Sequence, residues 1–258
     1  MSLFLLLIAL GLLGGFFSGL LGLGGSILMV PLLLFVPPWL GFAPLDMKEV
    51  SAISIVQVFF SSLSAVLVHR RNNAVSRPLV LYMGGASALA SLIGAWLSAS
   101  VSAGFLLTIF AGISTAATIL MFLPKKETEV DIPADQVPFN RPMAVGIALT
   151  VGTIGGLIGA PGAFIYVPLL MYVLKIPTRI TVGSTLAIVL AGALFGGIGK
   201  ALTGQIPYLL ALALVIGSVP GAQLGGRLSK QLKVQHLRWM VTAIVVLSTA
   251  KLWLEALG

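Results

Sequence analysis

The sequence predicts an all-α polytopic membrane protein made of two inverted repeats, each a helical hairpin broken at a glycine-rich turn followed by three transmembrane helices. Three observations predict it: an apolar composition along the whole chain, a broken motif that occurs twice, and a placement of basic residues that requires each broken segment to turn back. Of the 258 residues, 58% are hydrophobic and 9% charged, and the mean hydropathy is +1.11; a soluble domain carries about 25% charged residues. A spanning helix takes about 20 mostly apolar residues. Such runs occupy residues 2–36, 50–68, 79–98, 103–123, 142–174, 181–201, 207–228 and 237–257. They leave no stretch for a soluble domain, and the lipid bilayer is the first expected partner.

The run at 2–36 is too long for one span. As a straight helix it would reach about 52 Å at 1.5 Å per residue, against a hydrocarbon core of about 30 Å. It contains "GLLGLGGSILMVP" (residues 19–31), and folding at the glycines 22–25 gives two arms of roughly 17 residues, re-entrant or just spanning. A secretory signal is not expected, because the segment lacks a basic start and its apolar run exceeds the usual 7–15 residues. The next three runs read as plain spans. Residues 124–142, "PKKETEVDIPADQVPFNRP", are the one strongly polar stretch and read as an extended linker. The run at 142–174 repeats the long first segment, and three further spans follow. The organisation is a first repeat at 1–123, a cytoplasmic linker at 124–141 and a second, inverted repeat at 142–258.

The repeat is explicit in the residues. "GLLGLGGSILMVPLLL" (19–34) returns as "GLIGAPGAFIYVPLLM" (156–171) at an offset of 137, with Gly22 over Gly159, Gly25 over Gly162 and Pro31 over Pro168. "AISI" (52–55) matches "GSTL" (183–186), and "IGAWLS" (93–98) matches "LGGRLS" (224–229), both at an offset of 131. Charge then fixes the sense of the repeat. If each first segment crossed once, the 15 basic residues would divide 8 to 7. If each returns to its own side, Arg70, Arg71, Arg77, Lys125, Lys126, Arg141, Lys175, Arg179, Arg227, Lys230, Lys233 and Arg238 share one side. Only Lys48, Lys200 and Lys251 then lie opposite. Twelve to three is a positive-inside pattern. It puts an odd number of crossings in each half, both termini outside and the linker in the cytoplasm. The net charge of +8 follows from this topology and does not point to nucleic acid.

Broken backbone at membrane depth must face protein or water, because hydrocarbon leaves its N–H and C=O groups without partners. Ser26 is the expected N-cap of the second arm, whose free N–H groups and positive dipole end suit an anion; Pro161 and Gly162 take that place in the second half. Two inverted breaks would bring two helix N-termini together near the midplane, as in secondary transporters. All seven acids, Asp46, Glu49, Glu127, Glu129, Asp131, Asp135 and Glu255, fall in loops or at helix ends. No buried carboxylate is therefore on hand as a cation ligand or proton relay. The candidate substrate-binding set is Gly22, Gly24, Gly25, Ser26, Ser54, Gln57, Gly159, Pro161, Gly162, Ser184, Thr185 and Gln223, with Ser18 and Ser61 as further neutral donors in reach. Each Ser or Thr has an ordinary competing role, bonding its own helix carbonyls; Gln57 and Gln223 carry more weight because an unpaired amide is costlier to bury. Gly11, Gly14, Gly15, Gly84, Gly85 and Gly94 read as close-packing positions. His69 reads as a solvated residue at a helix end, His236 lies in a basic loop, and Lys200 and Arg227 are candidates for steering anions.

The paired "GLGGSILMVP" and "GAPGAFIYVP", and the "VGSTL" after the second, resemble the TauE/SafE sulfite exporter family, also called TSUP, over residues 16–254. The resemblance implies transport of sulfite, organosulfonates such as sulfoacetate, or related sulfur-containing anions across the prokaryotic cytoplasmic (inner) membrane. The second break departs from the first, with Ala160-Pro161 where Leu23-Gly24 stand, so the half-sites are expected to be unequal. The leading expectation is a secondary transporter exporting a small sulfur-containing anion by alternating access. The alternatives are an anion channel or a Na⁺- or H⁺-coupled importer on the same scaffold. Catalysis is not expected, as the spans hold no Asp pair, His cluster or Ser–His pairing. No cofactor is called for, and there is no G-x-x-x-x-G-K-[ST] loop for ATP. Oligomeric state is open.

Overall fold

The computed structural model describes residues 2–21, 25–69, 75–122 and 133–228, together with Ala243, Val246, Leu247, Ala250 and Trp253. The described chain is helical, in the order α1 (Leu3–Leu21), α2 (Ser26–Trp39), α3 (Met47–His69), α4 (Arg77–Ser100), α5 (Ala103–Phe122), α6 (Arg141–Ile158), α7 (Ala163–Val173), α8 (Thr178–Leu202) and α9 (Tyr208–Leu228). α4 carries a π-helical turn at Val80–Gly84 and closes in a 3₁₀ turn at Ser98–Ser100. The expected span at 237–257 lies outside the described residues apart from the single positions named above. So does most of the linker; its end forms a short 3₁₀ turn at Ala134–Gln136 where an extended chain was expected.

Local signals explain the boundaries. α3 opens on a reciprocal cap, in which Glu49 N–H donates to Asp46 Oδ1 (2.7 Å) and Asp46 N–H to Glu49 Oε2 (3.1 Å). α6 opens on Asn140, whose Oδ1 accepts from Met143 N–H at 3.1 Å, with Pro142 in the first turn. Six helices, α1, α3, α4, α6, α8 and α9, are long and apolar enough to cross a membrane. The hairpin arms are unequal, not the matched pair of about 17 residues expected: α1 has 19 residues and α2 has 14. At 1.5 Å per residue, α1 comes close to spanning and α2 falls short. Three prolines, Pro31, Pro37 and Pro38, sit inside α2.

Two glycine seams set the packing. A β-carbon on Gly11, Gly15 or Gly19 of α1 would lie within 2.3 Å of the carbonyl oxygens of Leu214, Ser218 or Ala222 of α9. One on Gly217, Gly221 or Gly225 of α9 would meet the carbonyls of Ile8, Leu12 or Phe16 within 2.2 Å. The register rises together on both helices, so α1 and α9 run parallel with their backbones in contact. The second seam joins α4 and α6 in the same way: Gly94 abuts Thr153, and Gly152 and Gly156 abut Ser87 and Ser91. Lipid supplies no hydrophobic drive between helices, so such contact depends on van der Waals packing that side chains would prevent. Gly14 also packs closely, against Met29 of the returning arm, whereas Gly84 has only ordinary contacts and Gly85 faces open space. Gly85 is therefore not the packing position the sequence predicted.

The contacts between helices keep their pattern when the halves are exchanged. α1 with α9 corresponds to α6 with α4, α9 with α3 to α4 with α8, and α3 with α8 to itself. Lys48, in the first turn of α3, donates to Ala99 O (3.0 Å), while Lys200, in the last turn of α8, donates to Ser98 Oγ (2.8 Å). The start of α3 and the end of α8 thus dock on one turn, and these two helices run antiparallel.

Candidate functional site

Each hairpin begins its second arm on a left-handed glycine. Gly25 (φ 71°) is the N-cap of α2 and Gly162 (φ 73°) that of α7, a conformation glycine reaches without the steric penalty of other residues. Neither cap has a side-chain hydrogen bond. Ser26 is therefore not the N-cap; it is the first residue of α2, and Pro161 stands before the cap of α7, outside the helix. Gly159, which ends α6, is also left-handed (φ 68°). In both hairpins the capping glycine's carbonyl accepts from the N–H groups three and four residues on, Leu28 and Met29 in one and Ile165 and Tyr166 in the other. The N–H groups of Ser26 and Ile27, and of Ala163 and Phe164, precede the first such bond and are the free ends of their helices.

Both breaks border α3. Gly25 packs against Gly14 and Ser18 of α1, and Ser18 Oγ donates to Ser61 Oγ of α3 at 3.3 Å. At the second break, Ser51 Oγ of α3 donates to Leu157 O at 3.2 Å, and a β-carbon on Gly159 would lie 1.9 Å from Ser51 O. Gly159 thus permits a backbone approach rather than presenting a ligand surface. Pro161 faces Gly192 of α8, one turn from Gly196, whose β-carbon would meet Ile55 of α3. The first break thus reaches α3 at the level of Ser61 through Ser18, and the second reaches it at Ser51 and reaches α8 at Gly192.

Ser51, Ser54, Gln57 and Ser61 recur at helical spacing and form one polar stripe on α3. The outer members are the ones bonded to the hairpins. The inner two are not: Ser54 Oγ and both amide atoms of Gln57 are fully buried without a hydrogen-bond partner among the described residues. Ser26 Oγ at the start of α2 and Thr185 Oγ1 of α8 share that condition. An unpartnered buried polar atom costs about 1–3 kcal/mol, and native structures hold few of them. Ser62, Ser76, Ser91 and Ser114 are also buried without a partner for their hydroxyls; Gln57 stands out as the one residue with two such atoms.

The remaining candidates part company with it. Ser184 is buried but occupied, its Oγ accepting from Ser76 N–H at 3.0 Å, which fastens the start of α4 to α8. Gln223 stands on the exposed side of α9 and does not join the stripe. Gly22 and Gly24 lie outside the described residues. Two features escaped the sequence reading. Tyr166, fully buried, ties α7 to its neighbours through Ser87 Oγ (3.0 Å) and Ala148 O (3.2 Å); its position in the first half is held by Met29, which cannot do this. Lys200, a candidate for steering or gating anions, is also completely buried, which the sequence did not show.

Comparison with known proteins agrees with this architecture. The family model described as sulfite exporter TauE/SafE matches residues 7–252. The chain is 25% identical to the probable membrane transporter protein YunE of Bacillus subtilis, with 98% of each chain covered. It is 28% identical to YdhB of the same organism over 86% of this chain and 89% of that one. A probable membrane transporter protein of Methanocaldococcus jannaschii is 24% identical over 93% and 91%. No solved structure matches the chain. The helical bundle, its paired breaks and the match over nearly the whole length agree: the chain belongs to the TauE/SafE sulfite exporter family and is a multi-pass membrane transporter, not an enzyme.

Proposed function

We propose that the protein exports a small sulfur-containing anion, sulfite or an organosulfonate, by alternating access around the middle of α3. The observation that carries this reading is Gln57, fully buried with both amide atoms unpartnered among the described residues, on the helix that both breaks contact, one turn from the equally unpartnered Ser54. Neutral donors and helix N-termini are what an oxyanion needs in a dry site. Thr185 lies two turns of α8 before Gly192 and contributes at the neighbouring level. The unequal breaks, Gly24-Gly25 against Pro161-Gly162, give the two half-sites different shapes. An interior-negative membrane favours the outward direction, because each expelled negative charge gains about 2.3 kcal/mol per 100 mV.

The inverted arrangement is part of the same proposal, with both termini outside, in the inner membrane of a prokaryote. It is supported by the antiparallel run of α3 and α8, equivalent helices of the two halves. It has its own test, since the chain contains no cysteine. A cysteine at Asp135 is expected to react with a membrane-impermeant maleimide only after permeabilisation, and one at Lys48 in intact cells. Labelling of both from one side would end the inverted topology.

Transport is tested with purified protein in liposomes, offered sulfite, thiosulfate, sulfate, sulfoacetate, taurine and bicarbonate with and without Na⁺ and pH gradients. Saturable flux of sulfite or a sulfonate, driven by membrane potential alone, is expected. A strict requirement for Na⁺ or H⁺ would favour coupled import. Large single-channel currents would favour a channel, and transport of none of the panel would refute the assignment.

A further inference from the structure

Among the described residues Lys200 is the one charged side chain that is fully buried. Its ammonium donates to Ser98 Oγ at 2.8 Å and to Gln205 Oε1 at 3.3 Å. Both acceptors are neutral. They are also held in place: Ser98 Oγ lies 2.6 Å from Ala95 O, and Gln205 Nε2 donates to Thr203 Oγ1 (2.6 Å) and Ala95 O (3.2 Å), which turns its oxygen to the lysine. An ammonium has three donors, and the third has no partner among the described residues. No carboxylate pairs with Lys200 there either. Asp46 Oδ1 and Glu49 Oε2, at the start of α3, each accept a backbone N–H of the cap.

A second cation is set beside the first. Lys48, half-buried, docks on Ala99 O of the same 3₁₀ turn that holds Lys200 through Ser98. Two ammonium groups thus meet at one end of α3, α4 and α8, one open to the aqueous face and one behind it. The carbonyl ends of α4 and α8 offset part of this charge, but a buried charge without a counter-ion is strongly unfavourable. The sequence repeats the pairing in the other half, where the 131-residue offset carries Lys200 onto His69 and Ser98 onto Ser229.

We infer that Lys200, with Lys48 at its entrance, forms a second anion subsite at the mouth of the pathway, taking a small oxyanion from or to the extracellular side. The inference rests on the transport reading for its place in the route, but the site stands on its own residues. The partner is an anion because the missing component is a negative charge. It is small and oxygenated because one ammonium N–H of Lys200, behind Lys48, is on offer to accepting oxygens, while Ser98 and Gln205 have already committed their donors.

The test uses sulfate as the probe on the full chain in detergent. Thermal unfolding is followed over low-millimolar sulfate at constant ionic strength, for wild type, Lys200→Gln and Lys200→Arg, beside Gly112→Leu, where a β-carbon meets nothing within 4 Å, as a control outside both sites. Sulfate should raise the midpoint of wild type, Lys200→Arg and Gly112→Leu alike, and that of Lys200→Gln by less than half as much. In liposomes, Lys200→Gln should need at least tenfold more anion for half-maximal flux from the extracellular side, with Lys200→Arg near wild type. A sulfate response in Lys200→Gln equal to that of wild type would overturn the subsite. A Lys200-dependent response in a protein that moves no anion would uphold the subsite and refute the transport reading; no response in wild type would overturn the subsite.

Discussion

Gln57→Leu is expected to make the protein more stable and a poorer transporter. Both amide atoms of Gln57 are buried without partners, so replacing the amide by an apolar group of similar length should recover about 1–3 kcal/mol of desolvation cost. The unfolding midpoint in detergent, measured without substrate, should rise. On the proposed site, the same change removes a donor to the anion. A hydrogen bond to a charged group contributes about 1.5–3 kcal/mol, so half-maximal flux should require roughly 10- to 150-fold more substrate. Opposite movement of the two measurements identifies a binding residue. A variant that lost stability and transport together would make Gln57 a structural residue with an ordinary partner.

The largest structural effect is expected at the glycine seam. In Gly15→Leu the new β-carbon would lie 2.2 Å from Ser218 O and under 3 Å from two further backbone atoms of α9. Backbone cannot rotate aside as a side chain can, so α1 and α9 must separate along the seam. Overpacking by a few methylenes costs about 1–3 kcal/mol in a core that can adjust, and a clash with helix backbone exceeds that range. Gly15→Leu should abolish the monodisperse peak in size-exclusion chromatography. Gly112→Leu, which meets nothing within 4 Å, should leave that peak intact. Equal behaviour of the two variants would show that the seam does not hold the fold.

The spans and both breaks were legible because their physics is local. A run of about 20 apolar residues and a glycine or proline within it are read without knowing the neighbours. The membership of the site was less legible, because burial and pairing depend on the neighbouring helix. Gln57 and Gln223 look alike in the sequence, yet one faces the bundle and the other its outside. Ser54 and Ser184 are both buried, but Ser184 is occupied by the backbone of Ser76, 108 residues away. Ser26 looked like a cap because serine favours that place, while the chain used the left-handed glycine before it. The burial of Lys200 was not legible, since a lysine in the last turn of a helix usually reaches water.

The two glycine seams also decide what can move. Each joins the entry helix of one sequence half to a helix of the other, α1 to α9 and α6 to α4. Turning residues 1–123 as a block against residues 142–258 would pull both seams open. The bodies free to move without that rupture are composites, one built on α1 with α9 and the other on α4 with α6, with α3 and α8 between them. The halves are thus strand-exchanged partners rather than lobes. Chains cut within the linker should assemble only when both pieces are made together, and neither piece alone should yield a folded bundle.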